Sequence, residues 1–405
     1  MGRAYVMRTV AMIGFLTASA AAADPFADVS APREPGPAVP AASWTFFSEN
    51  FGFRKELMSQ FSYSRDASRV GSRQSIGFEV LKKFSSETST WASVDFQGRL
   101  VRRDHYVPAL NDAEGMSRPG WFLEYHNAYA DLYNVFDPLL DDEGRGAVLG
   151  HFNLRVGRFY VPFGLNLQTD THGTVLQLSN ERNVGFERDW YAGLWGTLSP
   201  DLDYGVYYLA GSGYDLKLRG QSGLAAVRVS LSGRYAADYG LEGGVSVLGG
   251  ERLSPAALDR SPAVMANAAG SDRVRTLRVG ADARWRLAAP TGTLTWTTEL
   301  SGGYDAPDSV FTQLHQLEYL QASRRWGLAA QFHRFWQDPR RSRTIAPGAA
   351  PGPADSSISG EATWYFRNDV AGSNLQWIKL NVERQTERQQ GTPDVIVTLQ
   401  YYQYW

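Results

Sequence analysis

Arg273-Val-Arg-Thr-Leu-Arg-Val-Gly-Ala-Asp-Ala-Arg-Trp-Arg-Leu287 changes character at every second residue. Leu277, Val279, Ala281, Ala283, Trp285 and Leu287 fall on one side of an extended chain, and Arg278, Asp282, Arg284 and Arg286 fall on the other. A helix would mix the two sets, because its side chains recur about every 3.6 residues; a strand separates them. The segment is a β-strand with one dry face and one wet face.

Outward from this stretch the pattern repeats. Val94, Phe96 and Leu100 oppose Asp95, Gln97 and Arg99, and Ile378, Leu380 and Val382 oppose Lys379, Asn381 and Glu383. Such segments start near Glu56, Gln74, Trp91, Trp121, His151, Trp190, Tyr204, Leu224, Gly240, Val274, Thr293, Gln313, Trp326, Ser357, Leu375 and Asp394. Their length of about ten residues suits a tilted strand crossing a membrane, whereas strands of soluble sheets run to about five or six. A count of about sixteen is even, as an antiparallel barrel with both ends in the periplasm requires.

The links between segments alternate in length. Those after even-numbered strands are mostly short (199–203, 233–239, 288–292, 322–325, 367–374), and those after odd ones are mostly longer (102–120, 161–189, 249–273, 337–356). Short periplasmic turns and long surface loops are how outer-membrane barrels are built. The link 134–150 is a long exception. Trp405 ends a strand whose outer face also carries Val395, Val397, Leu399 and Tyr401, which resembles the terminal signal read by outer-membrane assembly machinery; Gln403 departs from it. The expected fold is an all-β transmembrane antiparallel barrel over 49–405, in the bacterial outer membrane and in contact with its lipid.

The front of the chain is an address. Arg3 and Arg8 precede the apolar run from Val10 to Ala18, and Ala21-Ala22-Ala23 forms a small-residue cleavage site, so 1–23 reads as a signal peptide. Residues 24–48, with Pro25, Pro32, Pro35, Pro37 and Pro40, read as an extended linker. Composition closes other routes. No cysteine is present, which excludes disulfide scaffolds and thiol catalysis. A formal charge of −2 lacks the basic excess of a nucleic-acid binder.

Catalytic motifs are scarce: there is no HExxH, no Gly-Lys pair for a phosphate loop and no GxSxG. The six histidines stand apart, and the acidic pair Asp141-Asp142 reads as a solvated turn, with calcium as the alternative. No cofactor is expected.

The wet faces suggest a pore, because a barrel of about sixteen strands is too wide for side chains to fill. Its lumen would receive Arg99, Arg155, Arg228, Arg278, Arg284, Arg325 and Lys379, with Asp95, Glu299, Glu361 and Glu383. The basic groups favour anions slightly, unless they pair with carboxylates across the wall. The link 161–189 is the third surface loop and carries Asp170, His172, Glu181, Arg182, Glu187 and Arg188. In channel barrels of this size the third loop commonly folds inward as a constriction; the alternative is a cap over the outer mouth.

Gly157-Arg-Phe-Tyr-Val-Pro-Phe-Gly-Leu165 resembles the Gly-x-Phe-x-x-Pro-Phe-Gly/Ser-Leu segment of the phosphate-selective porin O and P family. Glu187-Arg-Asp-Trp-Tyr-Ala-Gly-Leu-Trp-Gly196 is similar to the Arg-Asp-x-Gly strand that follows, and Asp203 to Gly213 to the next hairpin. The resemblance covers about sixty residues in order and implies a sixteen-stranded homotrimer passing small anions or other small solutes. Phosphate is not carried over, since the third loop has no lysine. The sequence thus points to passive diffusion of small polar or charged solutes, with a plugged or structural barrel for a partner protein, or an outer-membrane hydrolase, as the alternatives.

Overall fold

Alternation by two becomes sixteen strands in the computed structural model of the chain. It describes residues 50–85, 90–103, 120–136, 151–165, 174–176, 179–213, 223–253, 273–306, 308–337, 354–369, 374–388 and 392–405. The signal and linker segments expected at 1–23 and 24–48 lie outside these residues, as does Asp141-Asp142. The strands are β1 (Phe51–Ser64), β2 (Arg69–Ser85), β3 (Thr90–Arg103), β4 (Gly120–Leu132), β5 (Asn153–Tyr160), β6 (Arg188–Ser199), β7 (Leu202–Leu209) and β8 (Gly223–Leu231). They continue with β9 (Leu241–Leu253), β10 (Arg273–Ala289), β11 (Gly292–Asp305), β12 (Asp308–Gln321), β13 (Trp326–Gln337), β14 (Ala354–Asn368), β15 (Leu375–Glu387) and β16 (Val395–Tyr404). Among the described residues two short helices sit in links: α1 (Ser179–Asn183) before β6 and α2 (Gly233–Tyr239) before β9. No helix among the described residues is long and apolar enough to cross a membrane.

Each strand pairs antiparallel with its neighbours, and β1 pairs with β16, so the sheet closes without an edge. At the periplasmic end of this seam Lys55 and Trp405 exchange backbone hydrogen bonds of 2.7 and 3.0 Å. At the outer end Asp394 accepts from the Ser64 hydroxyl and from the amides of Asp66 (2.9 Å) and Val395 (2.6 Å). Partial burial alone would raise the Asp394 carboxyl; the hydrogen bonds outweigh it and hold the group below the ordinary carboxylate range. A depressed folded value contributes stability that is present above the unfolded pKa of about 3.9 and is lost as pH falls through the folded value. Asp394→Ala is therefore expected to lower the urea midpoint at neutral pH. The gap from wild type should close as pH falls below about 4; a gap that persists in acid would mean that the contribution is not ionic.

The outer surface carries the apolar set. Val227, Val245, Val247, Val279, Leu300 and Leu317 are exposed at middle height. Aromatic rings stand exposed toward both rims, with Phe53, Trp91, Trp285, Trp296 and Trp364 toward the short turns and Phe61, Tyr63, Trp121, Tyr208 and Tyr304 toward the long loops. An aliphatic band between two aromatic girdles is the surface of an outer-membrane barrel. The inner face carries the polar set, with Glu56, Gln60, Ser75, Gln97, Gln316, Gln331 and Gln400 all turned away from the lipid side.

Strand lengths are uneven. β2 and β10 run for 17 residues, but β5 and β7 for only 8. The low wall is where the third loop is rooted. There Gly157 adopts a φ of 134°, and a side chain at its Cβ would collide with the carbonyl oxygen of Ala128. Both effects leave glycine as the residue that fits. Gly157→Val is expected to lower refolded-barrel stability by about 3 kcal/mol or more, read as the urea midpoint; an unchanged midpoint would show that β4 and β5 can part at no cost.

Candidate functional site

The third loop leaves β5 at Val161 and turns into the barrel. Gly164 donates its amide to the Ser246 hydroxyl of β9 at 3.2 Å, and the Phe163 ring fills the space over Gly280 of β10. Farther along, α1 reaches the wall beyond. Ser179 donates to Glu299 of β11 at 2.5 Å, Thr312 of β12 donates to the Asn183 side chain at 3.4 Å, and the Nε of Arg278 donates to Asn183 at 3.0 Å. Strand β12 lies six places from β6 around the ring of sixteen, so these bonds cross the lumen. Asn180 ties helix to root by donating to the Phe163 carbonyl at 2.8 Å.

On its near side the loop rests on an apolar bed. Val161, Phe163, Val184 and Phe186 pack with Leu209, Leu224, Ala226 and Leu248 from the inner faces of β7, β8 and β9. Their burial explains why the inner wall is dry here: the loop, not water, covers it.

Most inward charges are paired. Arg155 of β5 makes two parallel bonds to Asp131, at 2.7 and 2.8 Å, and its guanidinium lies 4.4 Å from the ring centres of both Tyr129 and Phe159. Arg228 is held by Asp282 at 2.5 and 2.8 Å. Arg99 binds Glu56, Arg284 binds Glu242 at 3.1 Å, and Lys379 binds Glu361 at 3.0 Å. Arg278 and Arg252 share Asp305, at 2.8 and 2.9 Å. Removing one member of such a buried pair costs about 3–5 kcal/mol, because the other is left without its counter-charge.

Of the charges expected on the inner wall, Arg99, Arg155, Arg228, Arg278, Arg284, Lys379, Asp95, Glu299, Glu361 and Glu383 all stand on it. Arg325 does not. It lies exposed in the turn between β12 and β13, because strand alternation stops where pairing stops, and β13 begins at Trp326. Among the loop residues, Asp170 and His172 lie outside the described set. Glu181 and Arg182 belong to α1, whose backbone lies inside the barrel. Glu187 and Arg188 sit buried at the loop's root. There Arg188 donates to Tyr160 at 2.5 Å, to Asn127 at 3.3 Å and to Glu187 at 3.3 Å.

Sequence reasoning missed Ser179 and Asn183, the residues that latch the loop to the far wall. It also missed Asp131, Glu242 and Asp305, the carboxylates that occupy the arginines. The carboxylates sit at inward strand positions and were within reach of the alternation. The latch residues carried no signal, since Asn183 meets Arg278 across 95 residues of sequence. Among the described residues no three His, Asp or Glu side chains group as metal ligands.

No family model matches the chain, and no curated protein sequence matches it. Solved structures do. OprB of Pseudomonas putida, in a high-pH structure, superposes with a TM-score of 0.60 at 9% identity, covering 89% of this chain and 95% of that one. An anion-selective porin from Comamonas acidovorans gives 0.53 at 9% identity, over 88% of this chain and 99% of the other. Salmonella typhi OmpF, in a complex with daunomycin, gives 0.51 at 11% identity, over 88% and 97%. At such identities the likeness is one of architecture, and it agrees with the closed sheet and its two girdles: the chain has the sixteen-stranded fold of the bacterial outer-membrane porins.

Proposed function

We propose that the barrel is a channel for passive diffusion of small polar or charged solutes across the outer membrane. One observation carries the reading: outside two apolar clusters, the bed beneath the loop and a smaller group of Met58, Trp377, Tyr402 and Tyr404 beside the β1–β16 seam, the described inner wall is lined mostly by charged, amide and hydroxyl side chains. A barrel filled as a solid would bury apolar side chains there instead.

The inner-wall charges would set the ion preference of such a pore. The pairing weakens it, because a guanidinium held by a carboxylate presents little net field to a passing ion. The third loop would act as the constriction, with α1 as its rigid tip. A homotrimer in outer-membrane lipid goes with this reading, and cross-linking in isolated outer membranes should then stop at three chains.

Planar-bilayer recording of the purified mature protein under a potassium chloride gradient tests it. Stepwise conductance with a small reversal potential on the anion side is expected. Silence from protein shown to be folded would overturn the open channel in favour of a plugged barrel.

A further inference from the structure

The lumen holds a second feature besides the loop. Between the loop's root at Pro162 and the inner wall of β5 to β8 lies a recess of about 190 Å³, bordered by Asn153, Trp195, Asp203, Tyr207, Arg228 and Ser230. Its volume is below the roughly 300–1,000 Å³ typical of sites for drug-sized ligands, so it suits one small ring or less.

Its floor is aromatic. The Tyr207 ring lies over Gly193 and Gly205, and a side chain at either glycine would collide with it. The ring is thus laid flat along the wall instead of standing into the channel. Trp195 sits across the β6–β7 pair, braced edge-on by Tyr133 at 6.2 Å. Both rings keep part of their surface open. Flattening against glycine also strengthens the sheet locally, but that need is met by any aromatic residue and does not call for the polar rim that surrounds this one.

The rim is polar and close to neutral. Arg228 has its charge met by Asp282 and also donates to Ser246 at 2.9 Å. Asp203 accepts from Thr197 at 3.1 Å. The Asn153 side chain accepts from the Asn134 amide at 3.0 Å. Arg155, with its centre 5.6 Å from the Trp195 ring, is paired with Asp131. An organic cation would meet two guanidinium groups here. An anion would meet Asp203 and find both arginines already engaged. What remains is a ligand with an apolar face for the rings and neutral hydrogen-bonding groups around its edge.

We propose that this recess is a subsite for neutral, hydroxyl-rich rings of the size of a single pyranose. A pyranose presents its C–H face to Tyr207 and Trp195, while its hydroxyls donate to Asp203 and accept from Arg228, Asn153 and Ser230. The inference rests on the channel reading for its role in passage, but not for binding itself.

The test uses D-glucose, with sorbitol as an open-chain compound of similar hydroxyl content. In single-channel recordings of the mature protein, D-glucose should reduce the current saturably, whereas sorbitol should reduce it only in proportion to concentration. Tyr207→Ala and Asp203→Asn should each raise the half-blocking glucose concentration about tenfold; Asp203→Asn keeps size and shape, so it decides the matter if the alanine variant fails to fold. Identical behaviour of the two compounds, or no response to Asp203→Asn in folded protein, would overturn the subsite. Saturation-transfer NMR with D-glucose on the folded protein separates this failure from that of the channel. Transfer lost in Asp203→Asn supports the subsite even if no current flows, and no transfer to wild type refutes it even if current flows.

Discussion

Deleting residues 168–183 is expected to raise the conductance of the proposed channel severalfold. The segment includes α1, which is fixed against β10, β11 and β12 by Ser179 on Glu299, by Asn183 under Arg278 and by Thr312 on Asn183. Conductance through a water-filled barrel is limited by its narrowest section, so removing the obstacle acts on the whole current. The barrel itself should survive. Arg278 keeps its bond to Asp305 at 2.8 Å and donates to the carbonyl oxygens of Leu277 and Tyr304, so no buried cation is abandoned. Val184 and Phe186, beyond the deletion, still cover the apolar bed. Glu299 is the residue most changed, since it loses the Ser179 hydroxyl and stands open to water; the deletion should therefore shift the reversal potential toward cations as well as enlarging the current. Unchanged conductance in a correctly assembled mutant would mean that the narrowest section lies elsewhere. In that case the milder Asn183→Ala, which removes the side-chain bonds to Arg278 and Thr312 but keeps the Asn183 carbonyl under Arg278, should have no effect on channel noise either.

The barrel was legible because lipid and water act on alternate residues of one strand, and each choice is made within two positions of the last. Arg278, Asp282 and Arg284 reach the inner wall for the same local reason that Val279, Ala281 and Ala283 reach the outer one. The rule failed at Arg325, one residue outside the paired region. It was also incomplete on β8, where Leu224 and Ala226 face inward beside outward Ala225 and Val227. Apolar residues on both faces are the mark of a strand covered on both sides, so the bed for the third loop was written in the sequence, though what covers it was not. Loop contacts obey no period. Ser179 and Glu299 are 120 residues apart, and nothing near either one foretells the other. Pairing of charges lay between these cases: alternation puts Arg228 and Asp282 on one wall, but only the register of β8, β9 and β10 makes them partners.

Asp189→Ala is expected to be the most damaging single substitution in the barrel. The carboxylate is fully buried and accepts four backbone amides: Trp190 at 2.9 Å, Gly211 at 2.6 Å, Ser212 at 3.3 Å and Gly213 at 3.0 Å. Gly211 and Gly213 have left-handed φ angles of 69° and 61°, which curl the chain after β7 so that three successive N–H groups converge on one point. That curl in turn supports β9, because Leu253 donates to the Gly211 carbonyl at 2.8 Å. Alanine would strand all four donors away from water, at about 1–3 kcal/mol each. Even the lower end of that sum is a large share of the ~5–15 kcal/mol that typically separates a folded domain from its unfolded chain. The variant should fail to reach the folded band on an unheated gel, or should show the largest fall in urea midpoint of any substitution in the inner wall. Asp189→Asn keeps one accepting oxygen but turns an amide N–H₂ toward the remaining donors, so it should fall between wild type and alanine. An alanine variant that folds with an unchanged midpoint would show that the curl after β7 forms without its anchor. The third loop would then owe its inward path to Gly164 on Ser246, Ser179 on Glu299, Asn180, Asn183 and the apolar bed.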